Sequence, residues 1–564
     1  MPRSDGRSRR VVWAWGIVIA GLAVGSYLHT LGNAFVFDDR IIVLAKARKW
    51  QDESLWQVLK HDYWGDQRMD ALYRPVTVVS HVLSYRVWGD RPGPHRAVNL
   101  VLHAACCCCL FGLTCVVFGD RRLAGIASVL FAVHAVHVEA VAQVVGRAEL
   151  LAALGTIVAL WLYVSDARLG RRRPTWRYVV ALFVAALAML SKESGTVVIA
   201  LAAFYDLWSM RFGVPGRGQS GAVPAGSRSG SMRWSTVVRR LALQRWVALL
   251  VVGLIVLIIR QQVLGQLFQD RGVIDKVDNP IAHASGVGRA LTSVVLLGKY
   301  VGLLIWPHPL CHDYSYNALP ICETPVDGRF VWGMVCLAAI VVGGVWSYRC
   351  RGGVLWSIAW FLLTYALVSN TVVLSGTIFA ERLMYLPSSG FCWLVAVGAV
   401  AAGDRLSALR GDRRRGWWIV GGVLVALCAV HVVLTVQRGR TWRGERSLIT
   451  SALRLTNDSV RIQMQAGAYA RHDKDVAKSM RHFGRAAEIL DDHAPAHLLL
   501  GEDYLRLKQP EGAIPHLLKC VGNLPAEANY RAADYLFQAY RAIGKPQEAE
   551  YWRGKAEEFK KALR

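Results

Sequence analysis

Apolar residues in this chain are grouped in long blocks that polar, Arg-rich or Asp-containing stretches separate. Blocks of membrane-crossing length lie at residues 11–31, 97–118, 123–141, 148–165, 245–263, 331–348, 354–373, 384–402 and 417–436. A helix needs about 20 apolar residues to cross the hydrocarbon core of a bilayer, so each block predicts a membrane helix. Two shorter blocks, 177–190 and 194–208, flank "SKES" and predict either short spans or a re-entrant pair.

The basic loops predict how these helices are oriented, because short cytoplasmic loops collect Lys and Arg. Such loops lie at the N-terminus and at residues 119–123, 168–177, 211–245, 348–351 and 404–416. All of these basic loops lie on the cytoplasmic side only if the apolar segment 290–306 does not cross the membrane. We therefore predict eleven crossings, a cytoplasmic N-terminus and two long outer segments, 32–96 and 264–330. No small-residue cleavage site follows the first block, so we interpret it as a retained span.

The composition of the chain changes little in the predicted arrangement of membrane helices. The net charge of +26 would suggest a nucleic-acid partner in a soluble protein, but here the charge is concentrated between spans and serves topology. Cys106 to Cys109 follow one another in an apolar block. Consecutive helical residues point in different directions, which excludes a tetrahedral zinc site there. Cys311 and Cys322 share an outer loop, and the sequence leaves open whether they form a disulfide.

The C-terminal region repeats with a period of about 34 residues. The unit 494–527 has Gly501, Tyr504, Ala513 and Leu517 at the spacing of a tetratricopeptide (TPR) repeat, and a unit before it and a degenerate one after it follow the same pattern. Small residues at these positions let two helices cross closely. We predict an all-α protein: a membrane domain at 1–437, a linker helix at 438–459 and about three TPR repeats at 460–564.

Polar residues at the predicted helix ends gather on the outer side. They are Asp38 and Asp39, Arg74, His134, His137 and Glu139, Lys192, His312, Asp313 and Tyr314, and Glu381 and Arg382. Ionisable groups near hydrocarbon are costly, so a cluster of them on one face indicates a functional site.

The adjacent acids Asp38 and Asp39 allow several interpretations. Acids are unfavourable at a helix C-terminus, whereas a solvated loop, a helix N-cap or a divalent metal site would accommodate them. As a catalytic pair, one carboxylate would raise the pKa of the other and make it a better general base.

The neighbouring groups have their own alternatives. Arg74, Lys192 and Arg382 lie where a lipid phosphate would sit, although each alone is also explained by snorkelling to the interface. For His134 and His137, packing or phosphate hydrogen bonding is favoured over a metal. The segment from His312 through Asp313 to Tyr314 is interpreted either as an ordered loop rim or as an acceptor-binding surface.

Seven stretches carry a resemblance to a known family. In chain order they are "FVFDDRIIV", "YRPVTVVSHVLSYRVWG", "HRAVNLVLHA", "FAVHAVHVEAVAQVVGRAELLAAL", "LSKES", "WPHPLCHDYSY" and "ERLMYLPSSGF". With the repeats that follow, the chain resembles the transmembrane and TPR-containing (TMTC) proteins, which are O-mannosyltransferase-like members of the GT-C glycosyltransferase superfamily. The small number of repeats resembles that of bacterial members of the family. This resemblance implies that the chain lies in a bacterial inner membrane with its TPR domain in the periplasm.

The resemblance implies transfer of a sugar, typically mannose, from a polyprenyl- or dolichyl-phosphate carrier to a protein Ser or Thr hydroxyl, with inversion. One of Asp38 and Asp39 would be the base. The family's basic residue before Pro and its "ER" pair would bind the donor, and they are matched here by Arg74, Glu381 and Arg382. The further candidates for donor binding are Lys192, His134, His137 and Glu139. The chain departs from the family at Ala135, where Pro is frequent. A departing lipid monophosphate requires no metal, and we predict neither metal nor cofactor.

Two other functions compete with this one. A non-enzymatic membrane scaffold would use the TPR repeats to bind extracytoplasmic proteins, but an anchor needs one span rather than eleven. A transporter of lipid carriers or sugar phosphates would place ionisable residues near the bilayer midplane, whereas here they lie at helix ends. We therefore favour the transferase, with acceptor polypeptide held near the TPR groove.

Overall fold

The computed structural model describes residues 6–64, 72–169, 174–212, 236–265, 274–350, 352–371, 373–409 and 411–563, and this part of the chain is helical without strands. The predicted all-α class is thereby confirmed for it. Residues 170–173 and 213–235 of two predicted basic loops lie outside the described residues.

The first part of the chain, up to residue 441, contains fifteen α-helices within the described residues. They are α1 (Gly6–Gly25), α2 (Leu55–Val58), α3 (Pro75–Trp88), α4 (Pro92–Phe118), α5 (Arg121–Val133), α6 (Val138–Ala142), α7 (Arg147–Ala167), α8 (Trp176–Ser191), α9 (Val197–Phe212), α10 (Thr236–Leu264), α11 (Gly286–Ile305), α12 (Gly328–Cys350), α13 (Gly352–Ala366), α14 (Ser388–Leu409) and α15 (Arg413–Thr441). Shorter helical segments are Leu28–Gly32, Arg40–Ala47, Ala135–His137, Val144–Gly146, Glu193–Thr196, Pro280–His283 and Glu381–Met384.

Eight helices in the described residues are long and apolar enough to cross a membrane, or nine if the bent pair α5 and α6 forms one span. Two shorter apolar helices, α8 and α13, come in addition. The chain is therefore an integral membrane protein, and the number of eleven crossings stays a prediction. Fully buried tryptophans, among them Trp356, Trp360 and Trp393, pack the interior of this helical region.

Helix α11 has the length of a span, and one residue before it and one residue within it contact the loop between α13 and α14. Before the helix, the carbonyl of Asp278 accepts from the Ile378 N–H at 3.0 Å. Near its C-terminal end, the Tyr300 hydroxyl lies 3.2 Å from the backbone oxygen of Ala380. Because α11 is also among the helices long and apolar enough to cross a membrane, its position in an outer segment stays a prediction.

Two apolar blocks do not form the continuous helices that they predict. The block 123–141 is bent by 50° between α5 and α6. His134 adopts an extended ψ of 121° there, and its side chain accepts from the Val136 N–H. The block 354–373 ends its helix at Ala366. After it, Asn370 has a φ of +57° and its side-chain amide donates to the carbonyls of Thr377 and Ile378, which closes a loop instead of another helical turn.

The last part of the chain folds into seven further helices: α16 (Glu445–Leu453), α17 (Val460–His472), α18 (Val476–Ile489), α19 (Ala494–Arg506), α20 (Pro510–Cys520), α21 (Ala526–Ala542) and α22 (Pro546–Lys561). From α17 onward they pack as successive pairs. Gly467 and Gly501 permit the close crossings, since a Cβ would lie 2.5 Å from the Phe483 ring and 2.6 Å from Leu517 respectively. This arrangement agrees with the spacing of small residues in the sequence.

Helix α17 is joined directly to the loop between α11 and α12, which belongs to the predicted outer segment 264–330. The Val460 N–H donates to the carbonyl of Tyr316 at 2.6 Å, and the Asn317 N–H donates to that of Asp458 at 2.9 Å. The Ser459 hydroxyl donates to the buried carboxylate of Asp313 at 3.0 Å. The helical pairs therefore begin against the same outer loop that the sequence places near the acid pair.

Candidate functional site

The carboxylate of Asp39 is fully buried and held by residues that are distant in the sequence. Its Oδ1 accepts from the Val145 N–H at 3.0 Å, and its Oδ2 lies 3.6 Å from the Arg96 guanidinium. Burial raises the pKa of Asp39 to about 6, although Arg96 and the Val145 amide favour the charged form. Arg96 itself donates to the carbonyls of Asn33 and Ala34, so Asp39 belongs to the network that anchors this stretch of backbone.

Asp38 differs from its neighbour. It is only half-buried, and its side chain makes no hydrogen bond or ion pair with other described residues. The preceding residue, Phe37, has a φ of +52°, which is uncommon for a bulky side chain, and its ring contacts the edge of His312 at 5.6 Å between centroids. Such strained backbone is concentrated at functional sites. The acid pair thus consists of one anchored and one open carboxylate.

The "ER" pair lies beside the open carboxylate. Arg382 is bound by Glu139 twice: its Nη1 lies 2.6 Å from Oε1, and its N–H donates to Oε2 at 2.9 Å. Arg382 interacts electrostatically with Asp38 as well. Burial opposes the charge on Arg382, but Glu139 outweighs it and the pKa of Arg382 lies above its ordinary value. Glu381 has other partners, since it accepts from the Tyr314 hydroxyl at 2.8 Å and lies 3.4 Å from Arg438.

Two more predicted cations are held by glutamates on the same side of the helical region. Arg74 lies 2.7 Å from Glu193, which is also 3.4 Å from Arg260 of α10. Lys192 forms an ion pair with Glu149 of α7, and both side chains are about nine-tenths buried. Each cation is therefore fixed in place by an acid.

The structure brings Asp38 and these cations together. Arg382 interacts electrostatically with Asp38 and with Glu149, the partner of Lys192, and Lys192 in turn interacts with Arg74 and Arg382. Within the described residues, four cations share three glutamates, so the cluster has an excess of positive charge beside one open carboxylate. The residues of this cation cluster are Arg74, Lys192, Arg260 and Arg382, with Glu139, Glu149 and Glu193.

His134 and His137 are buried at the bend between α5 and α6 and have partners within the fold. His134 Nε2 lies 3.0 Å from the carbonyl of Leu304, and His137 Nε2 lies 2.7 Å from the Ser388 hydroxyl. These contacts support the packing interpretation over direct donor binding. In the described part of the chain, no three His, Cys, Asp or Glu side chains are arranged to hold a metal ion.

The segment from His312 to Tyr314 forms a junction between the acid pair and α17. The His312 Nε2–H donates to Gln465 of α17 at 2.9 Å, while the His312 ring contacts Phe37. Burial lowers the pKa of His312 to about 4, so its imidazole is neutral at pH 7. Asp313 and Tyr314 are bound within the fold, by Ser459 and Glu381 respectively, and they support the loop.

Several residues of this region were not recognised from the sequence as candidate site residues, because only their partners far along the chain bring them to the site. They are Arg96, Glu149, Glu193, Arg260 and Gln465. Tyr63 also lies among the charges, with the Arg74 guanidinium 4.9 Å from its ring centroid. An aromatic residue in a polar loop has no periodicity that would identify it. Cys311 and Cys322 are both free in the structure.

Known proteins share this sequence pattern. A family model described as "Protein O-mannosyl-transferase TMTC, DUF1736" matches residues 270–341. The Homo sapiens protein named "Protein O-mannosyl-transferase TMTC3" is 28% identical over 507 residues, which cover 88% of this chain and 53% of that protein. The resemblance to the TMTC family is confirmed.

Other TMTC proteins match to a similar extent. The Drosophila melanogaster "Protein O-mannosyl-transferase Tmtc3" is 26% identical over 533 residues, covering 86% of this chain and 56% of its own length. "Protein O-mannosyl-transferase TMTC4" of Mus musculus is 26% identical over 491 residues, covering 81% and 63%. This chain thus spans little more than half the length of the TMTC relatives that it matches.

A solved structure was also found, an Archaeoglobus fulgidus oligosaccharyltransferase tethered with an acceptor peptide. The TM-score is 0.42 at 13% identity, with 77% of this chain and 55% of the other covered.

Proposed function

We propose that this chain is a GT-C-type membrane glycosyltransferase. It transfers a sugar, mannose by its resemblance to the TMTC proteins, from a polyprenyl-phosphate carrier to a Ser or Thr hydroxyl of a protein. The reaction takes place on the extracytoplasmic face, where the acid pair and the cation cluster meet. In this proposal the helical pairs from α17 onward are TPR repeats that hold the acceptor, and the membrane is the bacterial inner membrane.

The open carboxylate of Asp38 is the observation that carries this proposal. A general base must be free to accept a proton and must lie within reach of the reacting hydroxyl. Asp38 makes no hydrogen bond or ion pair with other described residues, whereas Asp39 is fixed by Val145 and Arg96. We therefore assign the base to Asp38 and an anchoring function to Asp39.

The transfer is a single displacement. The acceptor oxygen attacks the anomeric carbon opposite the phosphate, and its proton passes to the Asp38 carboxylate. The bond between the anomeric carbon and the phosphate oxygen breaks, and its electron pair leaves with the polyprenyl phosphate. One bond is formed and one is broken at the anomeric carbon, so its configuration inverts.

The cation cluster suits the departing phosphate. As the bond breaks, negative charge grows on the phosphate, and fixed cations stabilise that charge without reorganising. Arg382 is the cation whose charge acts on Asp38, and Arg74 and Lys192 extend the positive region beyond it. Their glutamate partners hold them in position before the donor arrives.

The acceptor is proposed to approach from the side of α17. His312 connects Gln465 of that helix to Phe37, the residue before Asp38. A polypeptide bound along the helical pairs would therefore end next to the base. This placement favours an acceptor that is an extended polypeptide.

The proposal is tested with the purified chain in lipid nanodiscs, supplied with polyprenyl-phosphate mannose and a Ser/Thr-rich peptide. We expect mannosyl peptide, formed with an anomeric configuration opposite to that of the donor, and no product from a nucleotide-sugar donor. Peptide that binds without ever being glycosylated would contradict the proposal and support the membrane scaffold. Retained configuration would contradict the single displacement.

A further inference from the structure

Tyr63 has a buried hydroxyl that has no hydrogen-bond partner among the described residues. The residue is 1% exposed, and its oxygen makes no hydrogen bond. Buried polar groups nearly always have partners because an unsatisfied hydroxyl costs free energy. An exception in a candidate site indicates a group that awaits a ligand.

The ring of Tyr63 is held firmly, so the position of the hydroxyl is well defined. It packs in an apolar cluster with residues of the outer segment and α3, among them Val43, Trp50, Val78 and Val82. The Arg74 guanidinium lies 4.9 Å from the ring centroid. These contacts fix the ring but satisfy no hydrogen bond.

The charges around Tyr63 are those of the proposed site. Its hydroxyl interacts electrostatically with Arg74 and Arg382 of the cation cluster and with Asp38 of the acid pair. It therefore lies within electrostatic range of the groups assigned to the phosphate and of the group assigned to the acceptor proton. In a single displacement, the part of the donor between these two is the sugar.

We propose that the Tyr63 hydroxyl hydrogen-bonds a hydroxyl group of the transferred sugar and helps to select the sugar. The inference rests on the proposed function. A neutral hydroxyl both donates and accepts a hydrogen bond, which matches another hydroxyl. The phosphate, in contrast, is matched by the fixed cations. A site that hydrogen-bonds a substrate hydroxyl also rejects donors that lack it, because its own polar group is then left unpaired.

The substitution Tyr63→Phe tests this because it removes only the oxygen. The hydroxyl has no hydrogen-bond partner in the described part of the fold, so the melting temperature should stay within about 2 °C of the wild type, whereas kcat/KM for polyprenyl-phosphate mannose should fall at least ~10-fold. Affinity for polyprenyl phosphate without sugar should change less than about twofold. Tyr365→Phe is the matched control: its hydroxyl, on α13, is likewise buried without a hydrogen-bond partner among the described residues, and activity should be kept.

Three outcomes would overturn the inference. An unchanged kcat/KM in Tyr63→Phe would show that the hydroxyl does not serve the reaction. If Tyr63→Phe lost affinity for polyprenyl phosphate as strongly as for polyprenyl-phosphate mannose, the hydroxyl would bind the phosphate and not the sugar. A large drop in melting temperature would show a structural function. If the wild type transfers no sugar, the proposed function fails separately. In that case the affinities of the wild type and of Tyr63→Phe for polyprenyl-phosphate mannose and for polyprenyl phosphate still decide whether Tyr63 contacts the sugar.

Discussion

His312 and Gln465 are 153 residues apart in the chain, and a hydrogen bond of 2.9 Å joins them between the outer loop and helix α17. The other side of the His312 ring contacts Phe37, which precedes Asp38. The first of the C-terminal helical pairs is therefore part of the wall of the candidate site. Through His312 and Phe37, the C-terminal region is thus connected to the proposed base Asp38.

The substitution Gln465→Ala should weaken acceptor use more than donor use. Without Gln465, the buried His312 loses its hydrogen bond and the loop that supports Phe37 loosens. We expect KM for the peptide to rise about 3- to 10-fold while KM for the donor stays within about twofold. Gln547→Ala, at an exposed position of α22, is the control and should behave as the wild type. Equal effects on both substrates would count against an acceptor-side position for this junction.

Arg382 should be needed for its shape as well as its charge. A guanidinium can bind Glu139 and a phosphate oxygen at once, whereas a lysine provides a single point of charge. Arg382→Lys should lower kcat/KM for the donor by about 10- to 100-fold with little change in melting temperature, because the ammonium group of the variant would still pair with Glu139. For comparison, Arg329→Lys alters another arginine–carboxylate pair, with Asp327 at 2.6 Å, outside the cluster. Wild-type donor kinetics in Arg382→Lys would remove this residue from the site.

Asp39 should make stability depend on pH. Burial raises its pKa in the fold to about 6 from an ordinary value of 3.8. Between these values the folded state binds more protons than the unfolded state, so the free energy of unfolding falls as pH rises through this window and is constant above it. Asp39→Asn keeps an oxygen for the Val145 amide but cannot ionise. Its unfolding free energy, measured by chemical denaturation from about pH 4 to 7, should lack this decrease; an identical pH profile would show that Asp39 is not the responsible group.

The sequence was sufficient for the features that depend on local pattern. Long apolar blocks gave the helices, and polar residues at helix ends gave Asp38, Arg74, Lys192 and Arg382 as one cluster. The bend at His134 and the early end of α13 at Ala366 could not be foreseen, because each block has the length and mean hydropathy of one continuous span. Side-chain bonds to the backbone stop the helices there.

The difference between the two acids was also beyond the sequence. Asp38 and Asp39 are adjacent and identical, and it is contacts with distant groups, among them the amide of Val145 and the guanidinium of Arg96, that distinguish the buried one. Likewise, no local pattern distinguishes Tyr63 from other aromatic residues in the outer segment. Its position among the charges arises from contacts between segments that are distant in the chain.

The most direct test compares Asp38→Asn with Asp39→Asn in mannose transfer to peptide, alongside Asp52→Asn, an exposed acid of the same outer segment. We predict that Asp38→Asn lowers kcat by about 10²- to 10⁴-fold at an unchanged melting temperature, while Asp39→Asn and Asp52→Asn keep most of the activity. Full activity in Asp38→Asn would contradict the assignment of this carboxylate as the base.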